Sequence, residues 1–180
     1  MSEKDNANKI LAFARAYNKP LIVYDTETTG LSPNECHIIQ LAGKVLSSNL
    51  SVRSEFNFYI NPGYALPDKI VELTGITDKM LHNKPKEDEE FDEIYDIFGS
   101  TPYVIGHNVS FDNGFMESMY ERHGETFNPT SICTCKMARE LLILPNHKLQ
   151  TVANYYGINV DFHRADADVE ATYRIFVEML

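Results

Sequence analysis

The chain has 180 residues, 43% of them hydrophobic and 23% charged, a balance that predicts one globular domain spanning residues 1–180. It contains no run of about 18 apolar residues, which excludes a membrane-spanning helix, and its N-terminus lacks a secretory signal, so we expect a cytoplasmic protein. The net charge of −10 disfavours tight binding along a nucleic-acid duplex, but it is compatible with an enzyme that holds strand ends through bound cations.

The N-terminal third predicts one helix and three strands. Apolar residues at helical spacing continue to about Tyr17, and Pro20 ends that pattern. Residues 21–24 form a short apolar run with β-branched side chains, which indicates a buried strand. Two further strands are predicted over residues 38–46 and 56–60, and hairpins are the simplest connections between the three.

The remainder of the chain predicts helices around one more strand. An interrupted helical pattern follows Pro67, and residues 103–106 form a second short buried strand. Helices are then predicted from residue 110 to Gly124, over 148–156 and over 166–180. Three meandering strands followed by strand–helix units indicate an α/β fold with a mixed sheet and helices on its faces.

Two carboxylates follow the first strand directly. If the extended backbone continues, Asp25 and Glu27 point to one face, because side chains at i and i+2 share a face of a strand. Open α/β sheets place their active sites at the carboxyl ends of such strands. An isolated D-x-E is usually only a polar turn, but here the pair lies between a buried strand and Thr-Thr-Gly.

A third acid follows the second buried strand, in the sequence Gly-His-Asn-Val-Ser-Phe-Asp. Ser110 is predicted to be the N-cap, which puts Asp112 in the first turn of the next helix. An acid in that position is also stabilised by the helix dipole without any catalytic role.

A fourth acid precedes the C-terminal helix. The sequence His163-Arg164-Ala165-Asp166-Ala167-Asp168 leads into an apolar stripe, so Asp166 is predicted to be the N-cap and Asp168 a residue of the first turn. A single histidine before a helix is more often structural than catalytic. The case for His163 therefore depends on the other motifs.

Together, D-x-E-T-T-G, H-N-x-x-F-D and H-x-x-x-x-D resemble the three motifs of the DEDDh (DnaQ-like) 3′–5′ exonucleases. That family includes the proofreading epsilon subunit of bacterial replicative polymerases. The resemblance covers residues 21–172, including the segment Leu-Thr-Gly-Ile-Thr at 73–77. It implies a ribonuclease-H-like fold with a mixed five-stranded sheet flanked by helices.

The resemblance also assigns roles to residues. It implies two divalent cations, Mg²⁺ or Mn²⁺, and a general base, His163. The implied metal ligands are Asp25, Glu27, Asp112 and Asp168. The implied pocket for the terminal nucleotide is formed by Thr26, Leu31, Ile76, Thr77, His107, Asn108 and Phe111, with Leu31 as a wedge between the last two bases. For Leu31 and Ile76, ordinary packing is an equally good interpretation.

One segment departs from the family pattern. Cys133-Thr134-Cys135 stands where relatives often have Asp-Thr-Leu before Ala-Arg, a position that is not a metal ligand in the family. With Cys36 as the only other cysteine, the chain has neither a disulfide framework nor a zinc pattern, so we expect three reduced thiols.

Phosphodiester hydrolysis explains why four carboxylates belong together. Two cations roughly 3.5–4 Å apart stabilise both the attacking and the leaving oxygen, and hard cations such as Mg²⁺ prefer oxygen ligands. Two unit charges about 4 Å apart repel by roughly 4 kcal/mol at an effective dielectric of about 20, so converging carboxylates need cations. A histidine can accept a proton at neutral pH, which suits the role implied for His163.

Other functions fit parts of the pattern. Phosphatases of the haloacid-dehalogenase type also place paired acids after a first strand, but they need D-x-D and give His163 no role, whereas this chain has Glu27. A non-catalytic module that binds nucleic-acid ends or a polymerase is disfavoured because all five catalytic positions match.

The form of the motifs is most like the epsilon group. This favours removal of nucleoside 5′-monophosphates from the 3′ end of single-stranded or frayed DNA, with a DNA polymerase as a candidate partner. RNA trimming and degradation of small oligonucleotides remain alternatives, because no residue pattern reveals how the site senses a 2′-hydroxyl.

Overall fold

The computed structural model describes residues 2–180 and contains a five-stranded sheet in the order β3-β2-β1-β4-β5. The strands are β1 (Leu21–Thr28), β2 (Ile38–Leu46), β3 (Val52–Tyr59), β4 (Tyr103–Gly106) and β5 (Thr130–Cys133). The first three form the antiparallel meander that the sequence predicts, whereas β4 pairs parallel with both β1 and β5. The predicted mixed five-stranded sheet flanked by helices is therefore confirmed.

Eight helices complete this part of the chain. They are α1 (Glu3–Ala16), α2 (Asp68–Thr74), α3 (Asp78–Leu81), α4 (Glu87–Gly99), α5 (Ser110–Arg122), α6 (Thr134–Leu141), α7 (Leu149–Tyr155) and α8 (Ala165–Met179). No helix within residues 2–180 combines the length and the apolar character that crossing a membrane requires.

Both faces of the central strand β1 are covered. Leu21 and Val23 lie in one apolar cluster with residues of α1, α6, α7 and α8, while Ile22 and Tyr24 lie in a second cluster with residues of α4 and α5. This arrangement follows from the alternation of side chains along a strand, and it explains why β1 is a continuous apolar run. Packing of Leu21, Ile22, Val23 and Tyr24 on both faces holds β1 in place, and the same strand carries Asp25 and Glu27.

The sequence pattern does not predict β5 or α6, and it predicts different bounds for β3. The short strand β5 and the helix α6 occupy residues 130–141, where the sequence pattern predicts no specific element. Strand β3 begins at Val52 and ends at Tyr59, whereas the pattern predicts residues 56–60. Most of the extra residues are exposed, so hydrophobic alternation gives no signal for them. They are strand because they pair with β2.

Candidate active site

The first pair of acids lies at the carboxyl end of β1. The strand continues to Thr28, so Asp25 and Glu27 project from the same face as predicted. Their carboxylates and that of Asp168 each offer an oxygen, and these three oxygens lie within 4.8 Å of one another. An acid near the C-terminus of the chain therefore converges with two acids at the carboxyl end of β1.

Asp168 reaches this cluster from the first turn of α8. Its Oδ2 accepts a hydrogen bond from the backbone N–H of His163 at 3.2 Å, while its buried Oδ1 has no partner among the described residues. A buried carboxylate oxygen without a partner is unfavourable unless a cation or water binds it. The atom therefore fits a metal ligand.

Asp112 approaches the same end of β1 from α5. Its Oδ1 accepts hydrogen bonds from the backbone N–H of Thr26 at 3.0 Å and from the Thr26 hydroxyl at 2.7 Å, which tie the helix to the strand between Asp25 and Glu27. The predicted N-cap role of Ser110 is wrong, because Ser110 is already helical and Val109 precedes the helix. The chain enters α5 through Asn108, which has a φ of 66°.

Burial and mutual repulsion raise the pKa values of all four acids. Loss of hydration, followed by the charges of Asp112, Asp168 and Glu27, raises the pKa of Asp25 well above its ordinary value. Burial, then the charges of Asp168 and Asp112, raises the pKa of Glu27 to about 8. Burial likewise raises the pKa of Asp112 and of Asp168 to about 7. Without a cation, the cluster holds protons at neutral pH.

His163 lies next to the cluster through its backbone. Its φ of 67° is in the left-handed region, which is uncommon for a residue other than glycine. The backbone N–H is directed at Asp168, and the exposed imidazole forms no hydrogen bond with the described part of the chain. The ring is therefore free to meet water or a ligand.

The predicted N-cap role of Asp166 is also wrong. Helix α8 begins at Ala165, with Arg164 as the N-cap and no capping side chain. Asp166 lies within the first turn, where its carboxylate accepts hydrogen bonds from the side chains of Arg164 and Gln40.

His107 has a different environment from that of His163. Its Nδ1 shares a hydrogen bond with the Thr134 hydroxyl at 2.9 Å, and its Nε2 lies 2.8 Å from the carbonyl oxygen of His147. Burial lowers its pKa to about 4, so the ring is neutral. Both nitrogens thus have protein partners, and the ring joins the β4–α5 turn to α6 and to the segment before α7.

Three further residues of the predicted nucleotide pocket differ in exposure. Leu31 is 85% exposed on the loop after β1, and Asn108 is exposed before α5. Phe111 is half-buried, with its ring 5.0 Å from that of Phe115.

Ile76 and Thr77 have mainly structural contacts. Ile76 is buried in a small apolar cluster and also lines a cavity of about 400 Å³ beside the segment that leads to α8. The Thr77 hydroxyl caps α3 by accepting a hydrogen bond from the backbone N–H of Met80.

One polar residue near the site is absent from the sequence predictions. Gln40 is fully buried on β2, directly opposite Glu27 of β1, and it bonds to the start of α8. The sequence does contain a signal for Gln40, because a polar side chain within the apolar run Ile38-Ile39-Gln40-Leu41-Ala42 indicates a buried polar residue.

The sequence resembles known nucleases and polymerases over most of its length. Residues 22–176 match the family model for exonucleases. The PolC-type DNA polymerase III of Lacticaseibacillus paracasei is 39% identical over 157 residues, which cover 84% of this chain and 10% of that protein. The corresponding polymerase of Bacillus cereus is 36% identical over 180 residues, or 98% of this chain and 12% of the polymerase. The chain thus spans about a tenth of the length of these relatives.

Solved structures share the fold. Escherichia coli exonuclease I in complex with a dA16 oligonucleotide has a TM-score of 0.74 and 23% identity, and the match covers 87% of this chain and 40% of that chain. Exonuclease X in complex with 5′ overhanging duplex DNA has a TM-score of 0.69 and 22% identity over 88% of this chain and 90% of that chain. These matches confirm the ribonuclease-H-like fold that the sequence motifs imply.

Proposed function

The chain belongs to the exonuclease family, in its DnaQ-like 3′–5′ branch, and on that premise we propose that it shortens DNA from the 3′ end with two divalent cations. The observation that carries this proposal is the convergence of Asp25, Glu27 and Asp168, with Asp112 coupled to them through Thr26. Four acids with raised pKa values are unfavourable as a bare cluster and favourable around cations.

The donor set supports Mg²⁺ or Mn²⁺ as the cation. All the converging groups are carboxylates, and hard cations prefer such oxygen ligands, whereas the thiols of Cys133 and Cys135 lie apart in β5 and α6. The unpartnered Oδ1 of Asp168 adds a free ligand atom. Four carboxylates offer enough oxygens for two ions that share ligands.

In the proposed mechanism, Asp25, Glu27, Asp112 and Asp168 would hold the divalent cations, which would stabilise negative charge that develops on the phosphate. His163 accepts a proton of the attacking water on its imidazole, a role that the exposure of this residue supports. Water adds to the phosphorus, the bond to the 3′ oxygen of the preceding nucleotide breaks, and that oxygen takes a proton from the solvent to become the new 3′-hydroxyl. The product is a nucleoside 5′-monophosphate and a strand one nucleotide shorter.

The nucleotide pocket is part of the same proposal. Thr26 lies on β1 with Asp25, Phe111 lies on α5 with Asp112, and Asn108 lies in the turn before α5, which supports contacts to the terminal nucleotide. The exposure of Leu31 supports its role as a wedge between bases. Ile76 contributes through the wall of the cavity beside the segment that leads to α8, and Thr77, the next residue, belongs to the same proposed pocket. His107 acts by holding Asn108, because both its ring nitrogens are bonded to the protein.

DNA is the proposed substrate because the similar proteins are DNA polymerases and because the similar structures contain DNA. We further propose a DNA polymerase as partner and the cytoplasm as the place of action, since the relatives are bacterial polymerases. A net charge of −10 is consistent with a site that holds only a few nucleotides at a strand end.

The test uses 5′-labelled single-stranded DNA and RNA of matched sequence, with Mn²⁺ or with a chelator. We expect Mn²⁺-dependent, stepwise shortening of the DNA, and loss of shortening in Asp25→Ala together with weaker Mn²⁺ binding in calorimetry. Asp92→Ala, at an exposed aspartate of α4, is the matched control and should behave as the unchanged protein.

Three outcomes would contradict the proposal. Binding of DNA without shortening would indicate an interaction module. Faster shortening of RNA would indicate an RNA-trimming enzyme. An Asp25→Ala variant that binds Mn²⁺ with unchanged affinity would exclude the assigned ligand.

A further inference from the structure

Gln40 is a polar side chain buried between three elements. It is fully buried on β2, where its backbone pairs with Glu27 of β1 on one side and with Tyr59 of β3 on the other. Its amide nitrogen donates to Asn57 Oδ1 at 3.0 Å and to Asp166 Oδ1 at 3.3 Å. Its amide oxygen accepts from the backbone N–H of Ala165 at 3.2 Å. One amide therefore links β2, β3 and the start of α8.

The contact with Ala165 has a specific reason. The first backbone N–H groups of a helix have no partner within the helix, and α8 has no capping side chain at Arg164. The oxygen of Gln40 satisfies the first of these donors from the sheet. This contact also fixes the orientation of the amide, because the oxygen must face the N–H and the nitrogen must then face the Asp166 carboxylate.

The position of this contact is important for the cation site. Asp168 lies three residues after Ala165, in the same first turn of α8, and its carboxylate must reach those of Asp25 and Glu27 on β1. The strand that carries Gln40 is the neighbour of β1, and Gln40 is level with Glu27. The amide thus connects the strand beside two of the acids to the turn that holds the third.

We infer that Gln40 is a positioning residue, which holds the start of α8 at the distance from β1 that lets Asp168 join Asp25 and Glu27 around a cation. This role rests on the proposed cation-dependent function. Gln40 itself binds neither cation nor substrate. It acts through Ala165 and Asp166, and its neutral amide adds no charge to a site that already has four carboxylates.

Removing a residue that orients a metal-binding side chain changes metal affinity or activity by about 10–100-fold. We therefore expect Gln40→Met, which keeps the length and removes the hydrogen bonds, to weaken Mn²⁺ binding by at least about 10-fold. Isothermal titration calorimetry on metal-free protein measures this directly. Turnover at limiting Mn²⁺ should fall and recover as the Mn²⁺ concentration rises, while KM for the oligonucleotide stays unchanged.

A second variant breaks the same contact from the other side. Ala165→Pro removes the backbone N–H that donates to the amide oxygen of Gln40. Proline is favoured at the first position of a helix. The backbone is already compatible, because Arg164 has the extended φ of −133° and ψ of 124° that the residue before a proline adopts. We expect a similar loss of Mn²⁺ affinity, and this variant decides the question if Gln40→Met does not fold.

Thr101→Val is the matched control, because it removes buried hydrogen bonds at the opposite end of the sheet, to Pro20 and Tyr103. It should lower stability and leave Mn²⁺ affinity unchanged. If a folded Gln40→Met or Ala165→Pro protein loses stability in the same way but binds Mn²⁺ normally, the inference is overturned and Gln40 is only structural. If the unchanged protein fails to bind Mn²⁺, the proposed function fails as well, so the two failures are distinguishable.

Discussion

Replacing Glu27 with glutamine should make the cation-free protein more stable while it abolishes activity. The carboxylates of Glu27, Asp25 and Asp168 have oxygens within 4.8 Å of one another. Two unit charges at that distance repel by about 3 kcal/mol at an effective dielectric of about 20. Removal of one charge therefore relieves repulsion that bound cations or protonation otherwise relieve.

The pKa of Glu27 gives a second measure of how unfavourable its charge is in the folded state. Its rise from 4.5 to about 8, caused mainly by burial, corresponds to about 5 kcal/mol of unfavourable ionisation in the folded state. Screening by solvent at this partly exposed side chain reduces the figure to about 2–3 kcal/mol. The repulsion between the charges and the shifted pKa of Glu27 therefore give similar free energies.

The sign of the pH dependence follows from the direction of the change. Because the folded pKa of Glu27 lies above the unfolded value, the stability associated with its protonated form is fully present below 4.5 and is lost as the pH rises through about 8. The advantage of Glu27→Gln over the unchanged protein should therefore be small at about pH 4 and largest at about pH 9. Saturating Mn²⁺ should reverse it, since only the unchanged protein keeps all its ligands.

Thermal and urea unfolding in the presence of a chelator measure this difference. For a chain of this size, 2–3 kcal/mol corresponds to an increase of about 5–10 °C in Tm. Glu72→Gln, at an exposed glutamate of α2, is the control and should change Tm little at any pH. A chelated Glu27→Gln protein that is less stable than the unchanged one at high pH would refute the convergence of the carboxylates.

Three further predictions follow from the same site. His163→Ala should lower kcat by about 10²–10⁴-fold with unchanged Mn²⁺ affinity, and near-normal single-turnover rates would remove His163 as the base. Thr26→Val removes a hydroxyl that helps to lower the pKa of Asp112, so the pH midpoint of Mn²⁺ binding should rise, and an unchanged midpoint in calorimetry would contradict this role. Burial lowers the pKa of His107 to about 4. As the pH falls from 6.5 to 4, this residue should therefore reduce the free energy of unfolding by about 2–3 kcal/mol. In urea unfolding, His107→Gln should lose less stability over this pH range than the unchanged protein.

The central strands and the acids that follow them are predictable because their signals are local. The apolar runs of β1 and β4 are typical of strands covered on both faces, and each leads directly into its acidic motif. The spacing of Asp25 and Glu27 puts them on one face of any strand that continues through them. Such features need no knowledge of distant residues.

Features that depend on pairing partners are less predictable. Strand β5 has only four residues, of which Thr130 is exposed and Ser131 half-buried, and it exists because it pairs with β4. The N-caps are misplaced for a related reason. Ser110 and Asp166 have suitable side chains for a cap, but α5 begins at Ser110, after the left-handed Asn108, and α8 begins at Ala165, whose N–H donates to Gln40 on β2; residue type alone does not reveal either arrangement.

The sequence by itself determines which residues can perform the chemistry, because residue type and spacing along a strand or helix are local properties. Tertiary packing brings oxygens of Asp25, Glu27 and Asp168 within 4.8 Å of one another, places Asp112 against Thr26 and raises the pKa values of these acids by burial and mutual repulsion. It also decides that His107 is held by the protein while His163 is exposed. These properties depend on distances between residues up to 143 positions apart, such as Asp25 and Asp168. Packing of the helices on the sheet sets those distances, and no local pattern encodes them.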